Sequence, residues 1–213
     1  GLFSFRAEVM QGLLKEGLEV TLAMPYDDLV DDFKAMGCRY IDIPVDRRGV
    51  NPVKDMFLFF RYLKLIKQVK PDVVLTYTIK PNVYGGVAAA ICHVPCLANI
   101  TGLGTAVETP GILQKITLLM YRHGLKRDVC VFFQNQFNME FCLHHGIGGK
   151  HNVLLPGSGV NLKKFEHIPF AGEHTTEFIF ISRIMKQKGI DEYLYVAENL
   201  TREYGNKVKF HVL

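Results

Sequence analysis

The feature that most constrains this chain is the regular exchange of two hydrophobic periods along it. Short apolar runs rich in β-branched and aromatic residues ("LEVTLAMP", "CRYIDIPV", "PDVVLTYT", "PCLANI", "DVCVFFQN") alternate with longer segments of helical spacing ("DDLVDDFKAMG", "NPVKDMFLFFRYLKLIKQVK", "PNVYGGVAAAIC", "GILQKITLLMYRHGLKR"). Gly37 closes the first of these helices, and Pro52 sits in the first turn of the second. A helix around Gln136–His145 leads to "NVLLPGSGV" and then to a loop rich in turn residues and charge. A new strand, a helix and the strand "KVKFHVL" follow. Strands that alternate with helices imply a parallel sheet covered on both faces, so the expected class is α/β.

The ends refine this expectation. The chain opens in "GLFSFRAEVMQGLLKEG", a helix with no strand ahead of it, whereas the first helix of a doubly wound domain follows the first strand. The chain therefore reads as a Rossmann-like domain over 1–158 lacking its first strand, then the beginning of a second such domain over 159–213. A single domain with an unusual start is the alternative. An open sheet edge is expected in the first domain and an exposed half-core in the second.

Composition excludes several classes. No apolar run approaches the roughly 20 residues of a spanning helix, and the N-terminus does not read as a signal peptide. The net charge of +4 permits a phosphate-bearing ligand or an anionic membrane face without demanding either, and no nucleic-acid partner is expected. Five cysteines scattered through apolar stretches read as reduced thiols of a cytoplasmic protein. Cys92 and Cys96 with His93 between them have no second ligand pair at zinc spacing, so no metal is expected.

Three strand ends carry candidate chemistry. In "TEFIFISRIMKQKG", read as a buried strand ending near Ser182, Arg183 leaves the sheet at the edge where open α/β folds bind ligands. The following helix begins near Lys188–Gly189, so its N-terminal dipole, a guanidinium fork and an ammonium would converge on an anion such as a diphosphate. A solvated basic turn is the alternative. In "LTYTIKPNVYGG", Thr76, Thr78, Lys80 and Asn82 offer hydroxyl, ammonium and amide groups suited to a polyhydroxylated substrate, or Lys80-Pro81-Asn82 is merely a turn and cap. In "NITGLG", Thr101 and Gly102 open a glycine-rich loop that lacks the acidic residue of a dinucleotide fingerprint. "GIGGK" lacks the hydroxyl residue of a phosphate-binding loop.

In order, "GLFSFR", "YTIKPNVYGG", "NITGLG", "FFQNQ", "LLPGSGVNLKKF" and "ISRIMKQKG" resemble the family 4 glycosyltransferases of the GT-B fold. The resemblance is strongest to the branch that extends lipid-linked oligosaccharides. It implies that Gly1 belongs to a glycine-rich turn at the donor diphosphate and that Arg183, Lys188 and Gly189 hold that diphosphate, the two cations acting in catalysis. It further implies that Thr78, Lys80, Asn82, Thr101, Gly102, Asn135 and Ser158 line the acceptor side of the cleft, and that "PGSGVNLKKF" crosses between domains. The implied reaction is retaining transfer from a UDP-sugar, acting as donor substrate rather than cofactor, to a lipid-linked saccharide. No metal-binding DxD motif is present. Thr101 and Gly102 stand where many members carry a histidine, and the donor-gripping glutamates of the family would lie beyond Leu213. A GT-B sugar-nucleotide epimerase and a non-catalytic binding fragment are the rival readings.

One helix suggests a membrane. "FLFFRYLKLIKQVK" places Arg61, Lys64, Lys67 and Lys70 in a slowly drifting stripe, with Leu58, Tyr62, Leu65, Ile66 and Val69 on the core side. Phe57, Phe59 and Phe60 exceed what one packing face needs. Such a helix suits an anionic leaflet and a protein peripheral to the membrane's inner face, or else is an ordinary core helix with solvated lysines.

Overall fold

A computed structural model describes residues 2–46, 49, 51–104, 107, 110–169 and 175–213. The chain forms two compact units, Gly1–Gly159 and Val160–Leu213.

Unit 1 alternates as the periodicity requires. Its order is α1 (Leu2–Lys15), β1 (Thr21–Met24), α2 (Val30–Ala35), β2 (Arg39–Asp42), α3 (Pro52–Val69), β3 (Val74–Tyr77), a π-helical turn (Pro81–Gly85) continuing into α4 (Gly86–Ile91), β4 (Cys96–Ile100), α5 (Ile112–Leu125), β5 (Cys130–Phe133), α6 (Gln136–His144) and β6 (His151–Leu154). Local chemistry sets the helix ends. Asn51 accepts bonds from the Val53 and Lys54 amides, Pro52 occupies the first turn, and Lys70 closes α3 in the left-handed conformation. All strand pairs are parallel: β1 with β2, and β3, β4, β5 and β6 in that order.

Among the described residues the sheet is therefore interrupted. β1 pairs only with β2, and β3 pairs only with β4, so each keeps one edge open. Helices tie the two pieces together. Met10 of α1 packs in one cluster with Leu22 of β1, while Arg6 of α1 lies over the Tyr77 ring at the end of β3. Leu58, Tyr62 and Ile66 of α3 share a cluster with Ala23, Ile41, Val74 and Ala88–Ala89. A third cluster joins β4 and β5 to α5 through Ile100, Phe133, Tyr121 and Leu125. Here two glycines are needed for close approach: a Cβ on Gly124 would lie 2.8 Å from the Val83 Cα, and one on Gly86 would lie 3.0 Å from the Gly124 carbonyl oxygen.

Unit 2 comprises β7 (Thr176–Phe180), a 3-10 turn (Lys186–Lys188), α7 (Ile190–Tyr204), a second 3-10 turn and β8 (Val208–Val212), with β7 and β8 parallel. Tyr193 of α7 packs against Phe180 and Phe210, and Phe178 stacks on Phe210 at 4.9 Å. The expectation of a buried "TEFIF" strand is corrected: β7 is exposed along four of its five residues. A β-branched run is buried only where layers cover both faces, and within unit 2 one helix supplies a single layer. The half-core is open accordingly.

Candidate functional site

The carboxyl edge of β3–β6 collects most of the unit 1 candidates. Thr78, just past β3, holds a left-handed backbone at φ 70°, rare for a non-glycine residue and a mark of local strain. Two residues on, Lys80 turns inward. Its ammonium lies 2.5 Å from Asp55 Oδ1 in the first turn of α3, and the Tyr84 hydroxyl donates to Asp55 Oδ2 at 3.1 Å. Lys80 is thus engaged within the protein rather than extended toward a ligand. Burial, with the Asp55 charge beside it, pushes the Tyr84 phenol up, so it stays a neutral donor.

Asn82 sits fully buried in the π-helical turn and donates from Nδ2 to the Asn99 carbonyl at 3.1 Å. Asn99 Oδ1 in turn accepts from Gln134 Nε2 at 2.8 Å. Three carboxamides therefore link the ends of β3, β4 and β5, and π-helical turns of this sort recur at functional sites. Among the described residues neither Asn82 Oδ1 nor Gln134 Oε1 meets a donor. Thr101 and Gly102 follow β4 as exposed residues. Asn135 caps α6, its Oδ1 accepting from the Asn138 amide at 2.8 Å. Ser158 accepts from Arg6 Nη1 at 3.0 Å, which places a buried guanidinium between Ser158 and the Tyr77 ring.

Beside this edge, a cleft of about 420 Å³ opens between the ends of β1 and β2 and the start of α3. Pro25, Pro44, Lys54, Asp55, Phe57 and Arg61 line it, so apolar and charged groups share one wall.

In unit 2, Arg183, Lys188 and Gly189 lie together in the connection from the carboxyl end of β7 to the start of α7. Both cations are exposed. Gly189 adopts φ 81° immediately before α7, which turns the chain into the helix. Lys186 lies 3.7 Å from Asp191 across the same turn. Gly1 is outside the described residues.

Sequence reasoning named Thr78, Lys80 and Asn82 but missed Arg6, Asp55, Asn99 and Gln134, which organise the same edge. Asn99 and Gln134 had a readable signal, since each is a carboxamide at the end of an apolar strand. Arg6 and Asp55 had none: each looks like an ordinary helical surface charge.

A glycosyl transferase 4-like family model matches residues 3–135. A Campylobacter jejuni N,N'-diacetylbacillosaminyl-diphospho-undecaprenol alpha-1,3-N-acetylgalactosaminyltransferase is 24% identical over 224 residues, which covers 97% of this chain and 59% of that protein. An Escherichia coli UDP-Gal:alpha-D-GlcNAc-diphosphoundecaprenol alpha-1,3-galactosyltransferase is 26% identical over 191 residues, covering 82% and 46%. This chain thus spans about half the length of these relatives. Among solved structures, Anabaena HepE in complex with UDP and glucose aligns over 100% of this chain and 67% of its own, with a TM-score of 0.65 at 11% identity. Acinetobacter baumannii MurG aligns over 98% and 61%, with a TM-score of 0.53 at 15% identity. A Listeria monocytogenes protein described as a UDP-N-acetylglucosamine 2-epimerase aligns over 98% and 58%, with a TM-score of 0.57 at 14% identity. The architecture is that of the GT-B fold, and by the family match over 3–135 the chain belongs to the glycosyl transferase 4-like family.

Proposed function

We propose that the protein transfers a hexose, N-acetylgalactosamine or galactose or a close relative, from a UDP-sugar to a lipid-linked saccharide during surface glycan assembly. The names of both curated relatives support this class of acceptor. Both also specify α linkages, and an α product from an α-configured sugar nucleotide is net retention. In this reading the anomeric carbon's bond to the diphosphate breaks and its bond to an acceptor hydroxyl forms. The hydroxyl's proton passes to the departing diphosphate, so no separate base and no cofactor are required. The reaction would take place at the cytoplasmic face of the membrane, with the protein bound peripherally.

One observation carries the assignment of roles: Arg183 and Lys188 lie between a strand's carboxyl end and a helix start, where cations and free amides can meet a diphosphate. Unit 1 would then supply the acceptor side through Thr78, Thr101 and Gly102, with Lys80, Asn82, Asn135 and Ser158 acting through the contacts described above, and Gly1 is assigned to the donor side.

The test is Arg183→Ala assayed with UDP-N-acetylgalactosamine or UDP-galactose and a saccharide-diphospholipid acceptor. Loss of such a charge contact should lower turnover about a hundredfold, with an unchanged unfolding midpoint because the side chain is exposed. Wild-type turnover in the folded variant would remove Arg183 from the mechanism. Since an epimerase shares this fold, each assay is repeated without acceptor; conversion of the donor to its epimer there would replace the transferase reading.

A further inference from the structure

The cleft at the carboxyl ends of β1 and β2 is built from more than the fold requires. On α3, Lys54, Phe57 and Arg61 all border it. Lys54 and Arg61 are two helical turns apart, so both project from one side of α3, about 10 Å from each other along its axis. Phe57 falls between them and is 63% exposed. Pro25, Pro44 and Val45, which follow β1 and β2, supply apolar wall. At about 420 Å³ the cleft is within the roughly 300–1,000 Å³ of small-molecule sites.

Its polar groups are unequally engaged. Both carboxylates are committed. Asp55 holds the Lys80 ammonium and accepts from the Tyr84 hydroxyl. Asp46 accepts from the Gly49 amide at 2.8 Å and lies 3.8 Å from the Lys54 ammonium. Among the described residues that long contact is all that the Lys54 ammonium makes, and Arg61 meets no acceptor. The cleft therefore presents spare donors, a guanidinium fork above all, beside an aromatic face.

We propose that this cleft is a subsite for an anionic sugar, a pyranose ring lying against Phe57 with its acid substituent, phosphate or carboxylate, on Arg61. The C–H groups on one face of a pyranose carry the partial positive charge that a π face attracts. The guanidinium fork matches two oxygens of either acid, and Lys54 donates to a ring hydroxyl at the other end. A neutral sugar leaves Arg61 to water, and a free phosphate leaves Phe57 uncovered, so neither half of the ligand suffices. Asp55 belongs both to this cleft and to the clamp on Lys80 after β3, which sets the subsite beside the edge bearing Thr78. Its assignment to the acceptor rests on the transferase reading, whereas the binding chemistry does not.

The experiment follows backbone amide NMR shifts of the intact protein during titration with galactose 1-phosphate, galacturonate, galactose and inorganic phosphate. At least one anionic sugar should bind about tenfold more tightly than galactose or phosphate, as a charge-assisted contact predicts, with shifts concentrated around residues 43–46 and 53–62. Tight binding of the 1-phosphate alone identifies a glycosyl phosphate as the group read, and of galacturonate alone a uronic acid. Arg61→Gln should bring the anionic sugars down to the level of galactose, and Phe57→Ser down to that of phosphate. Both side chains are exposed, so circular dichroism and the unfolding midpoint should stay at wild-type values. Equal affinity for galactose and both anionic sugars, or undiminished binding by folded Arg61→Gln, overturns the subsite. Shifts confined to residues 183–189 also overturn it, since the anion is then held by the cations of unit 2. Arg183→Ala separates this proposal from the transferase reading: the variant should retain anionic-sugar binding at α3 while turnover falls. Absence of transfer by wild-type protein with that binding intact overturns the acceptor assignment alone.

Discussion

The ammonium of Lys80 and the carboxylate of Asp55 lie 2.5 Å apart, with their side chains only 12% and 13% exposed. The pair joins residues 25 positions apart and ties the first turn of α3 to the strained segment after β3. Removal of one member strands the other away from water, whereas replacement of both by apolar groups removes the penalty along with the attraction. Lys80→Met should cost about 3 kcal/mol in urea unfolding. Lys80→Met/Asp55→Leu should recover most of that loss. If the double variant is as unstable as the sum of the singles, the pair is not coupled. Turnover of the double variant separates a structural clamp from a substrate contact.

Asp128 gives a pH dependence with a defined sign. Its carboxyl is buried before β5 beside the Cys96 thiol, and burial pushes its pKa up from the usual 3.8 to about 7. The folded protein therefore binds a proton that the unfolded chain releases near pH 4. This contribution to stability is fully present below pH 4 and is lost as pH rises through 7. Asp128→Asn should flatten this decline, so that its unfolding midpoint exceeds that of wild type at pH 8 but not at pH 4. Parallel stability curves for the two proteins across this range would show that Asp128 does not control it.

The contact between the π-helical turn and α5 should tolerate no added methyl group. Gly124→Ala places its Cβ 2.8 Å from backbone of Val83, where no side-chain rotation relieves the clash. A cost of about 1–3 kcal/mol is expected, typical of overpacking. Gly12→Ala, on the open surface of α1, is the control, since nothing lies within 4 Å of its added Cβ. Calorimetry should show the first protein melting several degrees earlier, and equal melting temperatures would count against the packing described.

Arg6 is held by geometry that only a guanidinium supplies, donating to Ser158 while lying over the Tyr77 ring at 5.2 Å. Arg6→Lys keeps the charge but loses the planar fork. It should destabilise unit 1 by about 1 kcal/mol, and Ser158→Ala by about half of that. Chemical denaturation read by tyrosine fluorescence measures both. A neutral Arg6→Lys would mean that charge alone is used at this position.

The layered α/β architecture was legible because its signal is local. Each strand and helix of unit 1 carries its own period, and the ends at Asn51 and Lys70 follow from capping chemistry within a few residues. The interior of the site was not legible, because its determinants are distant in sequence. The π-helical turn at Pro81–Gly85 is accompanied by a bond from Asn82 to a carbonyl 17 residues away, which no local propensity encodes. Asn135 shows the converse: its bond from the Asn138 amide spans only three residues, so the cap before α6 is written in the local sequence. The exposure of β7 agrees with the exposed half-core expected of the second domain, whereas the strand's own apolar run pointed to burial, which belongs to the surrounding layers rather than to the strand. The exposure of Ile112, Ile116 and Leu119 on α5 was not legible because apolar residues at helical spacing resemble a core face until the fold shows which side is covered.

The interrupted sheet has a kinetic consequence. In a parallel strand with neighbours on both sides, such as β4 or β5, successive amides are bonded to one flank and then the other. In β1 and β3 the amides aimed at the open flank have no ladder partner among the described residues. In the chain of residues 1–213, deuterium should therefore enter β1 and β3 at alternate positions while it is still excluded from β4 and β5. Because α1 and α3 each pack against both pieces of the sheet, this fast-exchanging seam runs beneath ordered helices, and the exchange clock of unit 1 starts between its own strands.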